Sequence, residues 1–418
     1  MRKFLEEHTL EVLLILVTML AITRWWIPAA SGFELVYAAS QWALSYDHGL
    51  IRRGLVGTIV KIWKPIVTIG DVQQTALFAY CAFLVLLVIV FYHLMKTRES
   101  NGRLFKLILL FLAAPATLSL VARDLGRFDL FLMMITSLCL ILLSMRRQLW
   151  LIPILMTGAM FIHESFLILW APTILAALLF VYIWDKREKG ILITLVVSAV
   201  TIGGAFLVLY RFGTPTLGYE EFSRLVQSRA AFRLTDLSMH ECYYGIKDHF
   251  TLTSPYLRDA GSIINFFGAL LVLSPVILVL LNLWTHALRR CEAHRGTCVL
   301  FFLAPLSGLL IMLIATDFGR WLSAVIFCNY FAIFFLVSRD VLKAEELVEY
   351  SGGSFSLFIA GIILTYLFFG PLHDWNPYPY QHDVLSSSLA VASVLFFDVV
   401  FCMRWRSFSR HSSPKSNT

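Results

Sequence analysis

Apolar runs of about 20 residues follow one another along almost the whole chain, and short knots of charge separate them. That alternation restricts the fold more than any other feature. In hydrocarbon every backbone polar group must be satisfied within the protein, so only helices and closed barrels cross a bilayer. A soluble core cannot absorb so many apolar runs of this length. Of the 418 residues 59% are hydrophobic and 15% charged, against about 25% charged in soluble domains. Mean hydropathy is +0.76. The expected fold class is therefore an all-α polytopic membrane protein.

Twelve spans are predicted, near 9–28, 73–94, 104–121, 128–145, 149–164, 166–184, 190–210, 261–284, 297–315, 320–337, 354–371 and 385–403. The stretch 149–184 is too long for one span. His163-Glu164-Ser165 and then Pro172 divide it into two with a tight turn between. The first run follows Arg2 and Lys3 and continues to about Ile27 without a small-residue cleavage site, so it reads as a span rather than a signal peptide. Residues 1–403 are expected to form one multi-span domain. The tail 404–418, basic and Ser-rich, is expected to be disordered on the inner side.

Charge orients the bundle. With both termini cytoplasmic, the inner segments and Lys106 hold 20 of the 34 Lys and Arg residues, in the sense of the positive-inside rule. Three outer segments are then long: 29–72, 211–260 and 372–384. The first includes an apolar-basic stretch, Leu50 to Ile66, suited to an amphipathic helix at the interface. The largest, 211–260, carries Arg224, Arg229 and Arg233 at helical spacing, which reads as one basic face, either solvated or following an anionic ligand. A net charge of +7 does not imply nucleic acid, because the basic residues are spread over loops instead of one domain face.

Four polar knots fall on the same predicted side. Each buried charge at bilayer depth costs about 2.5–3.5 kcal/mol on insertion scales, so such a knot is a site hypothesis by default. Asp47-His48 precedes Arg52-Arg53 among glycines 49, 54 and 57, an acid beside a fork of guanidiniums. Its simpler reading is snorkelling to headgroups. Arg123, Asp124, Arg127 and Asp129 follow; on a helix Arg123 and Arg127 share a face and Asp124 reaches Arg127. The simpler reading there is a self-neutralised turn. His163-Glu164 ends a short span, where partial burial raises a glutamate pKa and makes a general base. The simpler reading is a hydrogen-bonded core histidine. Asp317 and Arg320 stand three apart at a helix start and either pair with each other or face a ligand.

Missing motifs narrow the function. The chain has no Walker A loop, no His-Glu-x-x-His helix and no Gly-x-Ser-x-Gly elbow. Its acids form no Asp-x-Asp pair, and arginines accompany nearly every one, which favours metal-independent chemistry without a cofactor. Of the seven cysteines only Cys242 lies in a predicted outer segment, so no disulfide is expected there.

Asp47 with Arg52-Arg53-Gly54, the Arg123-to-Asp129 turn, Phe161-Ile162-His163-Glu164-Ser165 and Asp317-to-Trp321 resemble the EpsG-like and O-antigen-polymerase-like membrane proteins of bacterial polysaccharide clusters. More distantly the chain resembles the GT-C glycosyltransferases, although their first outer loop usually carries paired acids where this one has Asp47-His48. The resemblance spans the topology of almost the whole chain but rests on four short islands. It implies an enzyme of the bacterial inner membrane that joins polyprenyl-(di)phosphate-linked sugar repeats to a glycan acceptor at the outer face. Membrane lipids surround it, and a chain-length regulator is the implied accessory partner. Asp47 or Glu164 would be the base, and His163 would orient Glu164 or donate to phosphate. His48, Arg52, Arg53, Arg123, Asp124, Arg127, Asp129, Asp317 and Arg320 would hold the substrate and its phosphate. A single-sugar GT-C transferase and a lipid-oligosaccharide flippase are the alternatives. A flippase would be expected to carry basic residues deep in several spans, and these spans are nearly free of them.

Overall fold

The computed structural model describes residues 11–20, 33–96, 101–185, 187–246, 248, 260–291, 295–313, 317–343, 359–363, 392, 394–400 and 402–403. Most of the expected span 354–371, residues 385–391, 393 and 401 of the expected span 385–403, the segment 372–384 and the tail 404–418 lie outside the described residues. Helices account for nearly all regular structure there. They are α1 (Glu11–Leu20), α2 (Phe33–Trp42), α3 (Gly54–Lys61), α4 (Ile69–Lys96), α5 (Asn101–Ala113), α6 (Leu118–Arg123), α7 (Asp129–Met145) and α8 (Leu151–Ile162). Then come α9 (Phe166–Leu169), α10 (Ala171–Trp184), α11 (Lys189–Phe212), α12 (Tyr219–Ser228), α13 (Asp236–Tyr243), α14 (Ala260–Arg290), α15 (Arg295–Leu303) and α16 (Phe318–Ser338). A 3-10 stretch, Ala304–Leu313, continues α15.

Seven helical stretches among the described residues are long and apolar enough to cross a membrane: Ile69–Tyr92, Leu104–Arg123, Phe166–Trp184, Lys189–Phe212, Phe266–Arg290, Arg295–Met312 and Phe318–Ser338. Helices α1, α7 and α8 are apolar but shorter. The protein is thus a helical, membrane-type bundle. Seven of the expected crossings are long enough among the described residues; the expected spans near 9–28, 128–145 and 149–164 are present there as shorter apolar helices, and those at 354–371 and 385–403 lie partly outside them. Pro115 interrupts 101–123, and His163-Glu164-Ser165 separates α8 from α9 as the sequence suggests.

Helix α16 is the axis of the bundle, and nearly all its residues are buried. Its phenylalanines meet those of neighbouring helices edge to face: Phe111 contacts Phe327, Tyr330, Phe331 and Phe334 at 5.5–5.6 Å between centroids. Such packing matters in a membrane, where lipid tails are as apolar as the helices and burial alone gives little drive. One interhelical hydrogen bond adds to it, from Trp284 Nε1 to Asn329 Oδ1 at 2.8 Å. By contrast α4 and α11 leave Val85, Val88, Val196, Val200 and Leu207 exposed, the outward face a lipid-contacting helix needs.

The first and second long connecting segments pack on each other and form a cap at one end of the bundle. Ala43, Leu44, Ile51, Phe222, Val226, Leu234, Met239 and Cys242 share a small apolar core. A parallel bridge joins Val67 to Ala230, with Val67 N–H donating to Arg229 O at 2.7 Å and Ala231 N–H donating to Val67 O at 2.9 Å. Arg229 turns inward and donates to Ala43 O at 2.9 Å and Gly57 O at 3.2 Å. The expected basic face of Arg224, Arg229 and Arg233 is therefore not one face. Helix α12 ends at Ser228, and Arg229 is buried while Arg224 and Arg233 stay exposed. In the Leu50–Ile66 stretch, α3 buries Gly54, Val56, Gly57 and Val60, while Ile59, Ile62, Trp63 and Ile66 stay exposed.

Candidate functional site

Three helices run from the capped end to the opposite rim. Helix α7 starts at Asp129 and ends before Arg146; the stretch Phe166–Trp184 lies between Glu164 and Asp185; α16 starts beside Asp317 and ends before Arg339. At 1.5 Å per residue these cover about 25–31 Å. The far ends are tied together by Arg146 and Arg339, which both pair with Asp185. The near ends bring separate polar knots into one place beneath the cap.

Arg53 is the pivot. It adopts the left-handed conformation (φ 61°) at the start of α3. The turn is held because α3 lies against the 42–44 backbone: a Cβ on Gly57 would stand 1.8 Å from Leu44 O, so only glycine fits. Arg53 donates to Glu164 from Nε at 3.2–3.3 Å and from Nη2 at 2.8 Å. Arg52 Nη1 lies 3.2 Å from the same carboxylate, and Arg52 Nη2 donates to the Glu241 carbonyl. Arg52 Nε is buried with no partner among the described residues.

His163 caps α8 with an extended backbone. Its Nδ1 accepts from Ser165 N–H at 3.1 Å and meets Ser165 Oγ at 2.8 Å. A nitrogen that accepts from a backbone amide carries no proton, so the ring is the neutral Nε2–H tautomer. Burial, and then the Arg53 charge, lower its pKa to about 3. The 3.6 Å approach of Nδ1 to Glu164 is accordingly not an ion pair.

The second half of the site centres on Arg320, in the first turn of α16. It donates to Asp129 Oδ2 from Nε at 3.1 Å and from Nη2 at 2.6 Å, and to Asp317 Oδ2 from Nη1 at 2.6 Å. Asp129 opens α7, where the positive end of the helix dipole favours a carboxylate. Arg127 Nη1 lies 3.8 Å from Asp317, and its Cζ sits 5.1 Å over the Tyr37 ring. Tyr37 links the halves, because its hydroxyl donates to Glu241, whose carboxylate is 4.0 Å from Arg53. A cavity of about 20 Å³ lies among Asp124, Arg127, Asp129, Trp170 and Arg320, room for about one water molecule. Trp170 Nε1 is buried without a partner among the described residues.

Four guanidiniums and four carboxylates thus meet from five segments: Arg52, Arg53, Arg127 and Arg320 with Asp129, Glu164, Glu241 and Asp317. The charges balance, which lets them persist in so dry a place. Glu164 corrects one expectation. Burial alone would raise its pKa, but its neighbours, Arg53 foremost, outweigh burial and hold it well below the usual carboxylate range. Arg53 is likewise opposed by burial and raised well above its ordinary value by Glu164.

The remaining expected residues are placed otherwise. Asp47 sits on the exposed turn Tyr46–His48, bonded to Lys61 and, at 2.8 Å, to Ser45. The Lys61 bond, first of its partners, lowers its pKa. Of His48 only the backbone, in that turn, is described. Arg123 and Arg127 do not share a helical face, because α6 ends at Arg123 and Gly126 (φ 99°) turns the chain. Asp124 instead lines the small cavity and acts electrostatically on Arg320. Sequence reasoning missed Tyr37 and Glu241. A tyrosine in an apolar helix carries no signal, and Glu241 was one acid among several in the long 211–260 segment. No protein-family model matches the chain, and neither a curated protein nor a solved structure matches it.

Proposed function

We propose that the chain is an integral-membrane glycosyltransferase of the polysaccharide-polymerase type, joining polyprenyl-(di)phosphate-linked sugar repeats at the outer face of a bacterial inner membrane. The observation that carries this reading is the convergence of Arg52, Arg53, Arg127 and Arg320 with Glu164 and Asp129 at one capped end of the bundle. Planar guanidiniums match phosphate oxygens in a bidentate manner and neutralise a phosphate leaving group without a metal.

Glu164 is the base in this mechanism. In the paired state Arg53 keeps it ionised and weakly basic. A lipid phosphate competes for the Arg53 donors, and as that pair loosens the carboxylate becomes basic enough to take the acceptor hydroxyl proton. The hydroxyl oxygen then attacks the anomeric carbon, and the bond to the lipid phosphate breaks with its electrons on phosphate, where Arg127 and Arg320 stabilise the charge. Donor binding must separate ion pairs, since the cavity inside the network is no larger than a water site. Asp47, exposed at the cap surface, is the rival base.

Glycan ladders test the reading. Arg127→Ala at unchanged protein level should lower product formation by about 10²–10³-fold, the usual loss for one transition-state donor. Accumulation of single-repeat material identifies a polymerase, and full-length chains lacking a sugar identify a single-sugar transferase. A normal ladder overturns both.

A further inference from the structure

At the rim opposite the cap an apolar groove of about 130 Å³ runs between α4, α7 and α16. Ile89 and Leu94, Leu140 and Ile141, and Phe331 and Phe334 form its walls. Along α16 it extends from Phe331 to Ser338, about 10 Å at the helical rise. The groove opens outward, since Ile89 and Met145 are exposed. Its polar end is marked by Ser144 and Ser338, whose hydroxyls are 2.8 Å apart.

The residues just past that end are cationic. Arg146 follows Met145, and Arg339 follows Ser338. Asp185 pairs with both, and Glu188 lies 3.5 Å from Arg146. Together with Asp340, which follows Arg339, these carboxylates stand against Arg146, Arg147, Arg187, Lys189 and Arg339 in the adjoining chain, so the basic residues at this rim outnumber the acids. Arg147 and Arg187 are exposed and have no carboxylate partner among the described residues. Arg339 Nε is buried and unpartnered among them. An apolar slot opening to lipid, long enough for part of an acyl chain and ending at surplus guanidiniums, has the chemistry of a lipid with a negative headgroup.

We propose that this groove binds an anionic phospholipid, one acyl chain against Phe331 and Phe334 and the phosphate among Arg146, Arg147 and Arg339. The site is independent of the glycosyltransferase reading, since none of its residues belongs to the Arg53–Arg320 network. Occupied, it would fasten the far ends of α7 and α16, the two helices whose near ends hold Asp129 and Arg320.

Native mass spectrometry of the full-length protein, incubated with phosphatidylglycerol or phosphatidylcholine of identical acyl chains, tests it. The wild type should retain phosphatidylglycerol in preference by about fivefold or more, the effect of one basic contact to an anionic lipid. Arg147→Gln, an exposed substitution outside the ion pairs, should reduce that preference about fivefold. Ile141→Trp, which fills the groove, should abolish retention of both lipids. Thermal melts in lipid-free detergent verify that both variants are folded; a variant that melts early is replaced by Arg147→Ala or Leu140→Phe, with the same expectations. Equal retention of the two lipids by the wild type, an unchanged preference in the charge variant, or undiminished retention in the filled groove each overturns the proposal.

Discussion

Glu164→Gln is the sharpest perturbation of this molecule, because it alters one charge and almost no volume. Glu164 accepts three donor contacts from Arg53 at 2.8–3.3 Å and faces Arg52 at 3.2 Å. The side chains of Arg52, Arg53 and Glu164 are 1%, 9% and 13% exposed, so water replaces few of the lost contacts. A glutamine keeps one acceptor oxygen but turns an NH2 group towards guanidinium donors, leaving buried cation charge uncompensated. Breaking a buried pair from one side costs about 3–5 kcal/mol. The loss should appear as a lower unfolding free energy in mixed-micelle denaturation. The companion Arg53→Met should lose a similar amount, and the double variant should recover most of it, a coupling of about 2 kcal/mol or more in a double-mutant cycle. Destabilisation below about 0.5 kcal/mol, or two strictly additive losses, would mean that the pair is solvated and that the site is not the dry network argued above.

Gly57→Ala should destabilise the cap by about 3 kcal/mol or more, since its Cβ would meet Leu44 O at 1.8 Å and Trp42 O at 2.6 Å; an unchanged melting temperature would exclude that close approach. Acid should weaken the fold through His163. Its pKa is depressed to about 3, so the folded state binds fewer protons than the unfolded one. That contribution is complete above about pH 6.5 and falls by at most about 1.4 kcal/mol per pH unit below it. Glu164, also depressed, adds a further loss at lower pH, below about pH 4.3. In melts between pH 7 and 4.5, His163→Asn should flatten the slope, because its amide oxygen accepts from Ser165 without titrating; identical slopes would disprove the neutral-histidine assignment. Trp284→Phe removes the hydrogen bond to Asn329 and should cost about 0.6–1.7 kcal/mol, readable in the same unfolding assay, whereas no change would mean Asn329 finds another donor.

Much of the architecture is legible in the residues themselves. The polar turn His163-Glu164-Ser165 and the proline after it divide 149–184 as expected, because a helix ends where its hydrophobic run and backbone donors are interrupted. Glycine misled the reading of 123–129. Two arginines four apart look like one helical face, yet Gly126 takes φ 99° and breaks the helix between them. The sign of the Glu164 shift was also beyond reach, since burial and pairing act in opposite directions and only the distance to Arg53 decides which prevails.

Composition and run length by themselves settle that this chain is a helical bundle of the membrane type, because hydrocarbon leaves the backbone no other arrangement for these runs. They also locate the four charged islands, since polar residues stand out against an apolar background. Which island meets which was decided only in three dimensions. Arg53 finds Glu164 across 111 residues and Arg320 finds Asp129 across 191, while Asp47, only six positions before Arg53, turns to Lys61 instead. Helix ends brought level by packing, not spacing along the chain, determine which charges are near enough to pair, and Coulomb attraction in a dry environment then selects the partners.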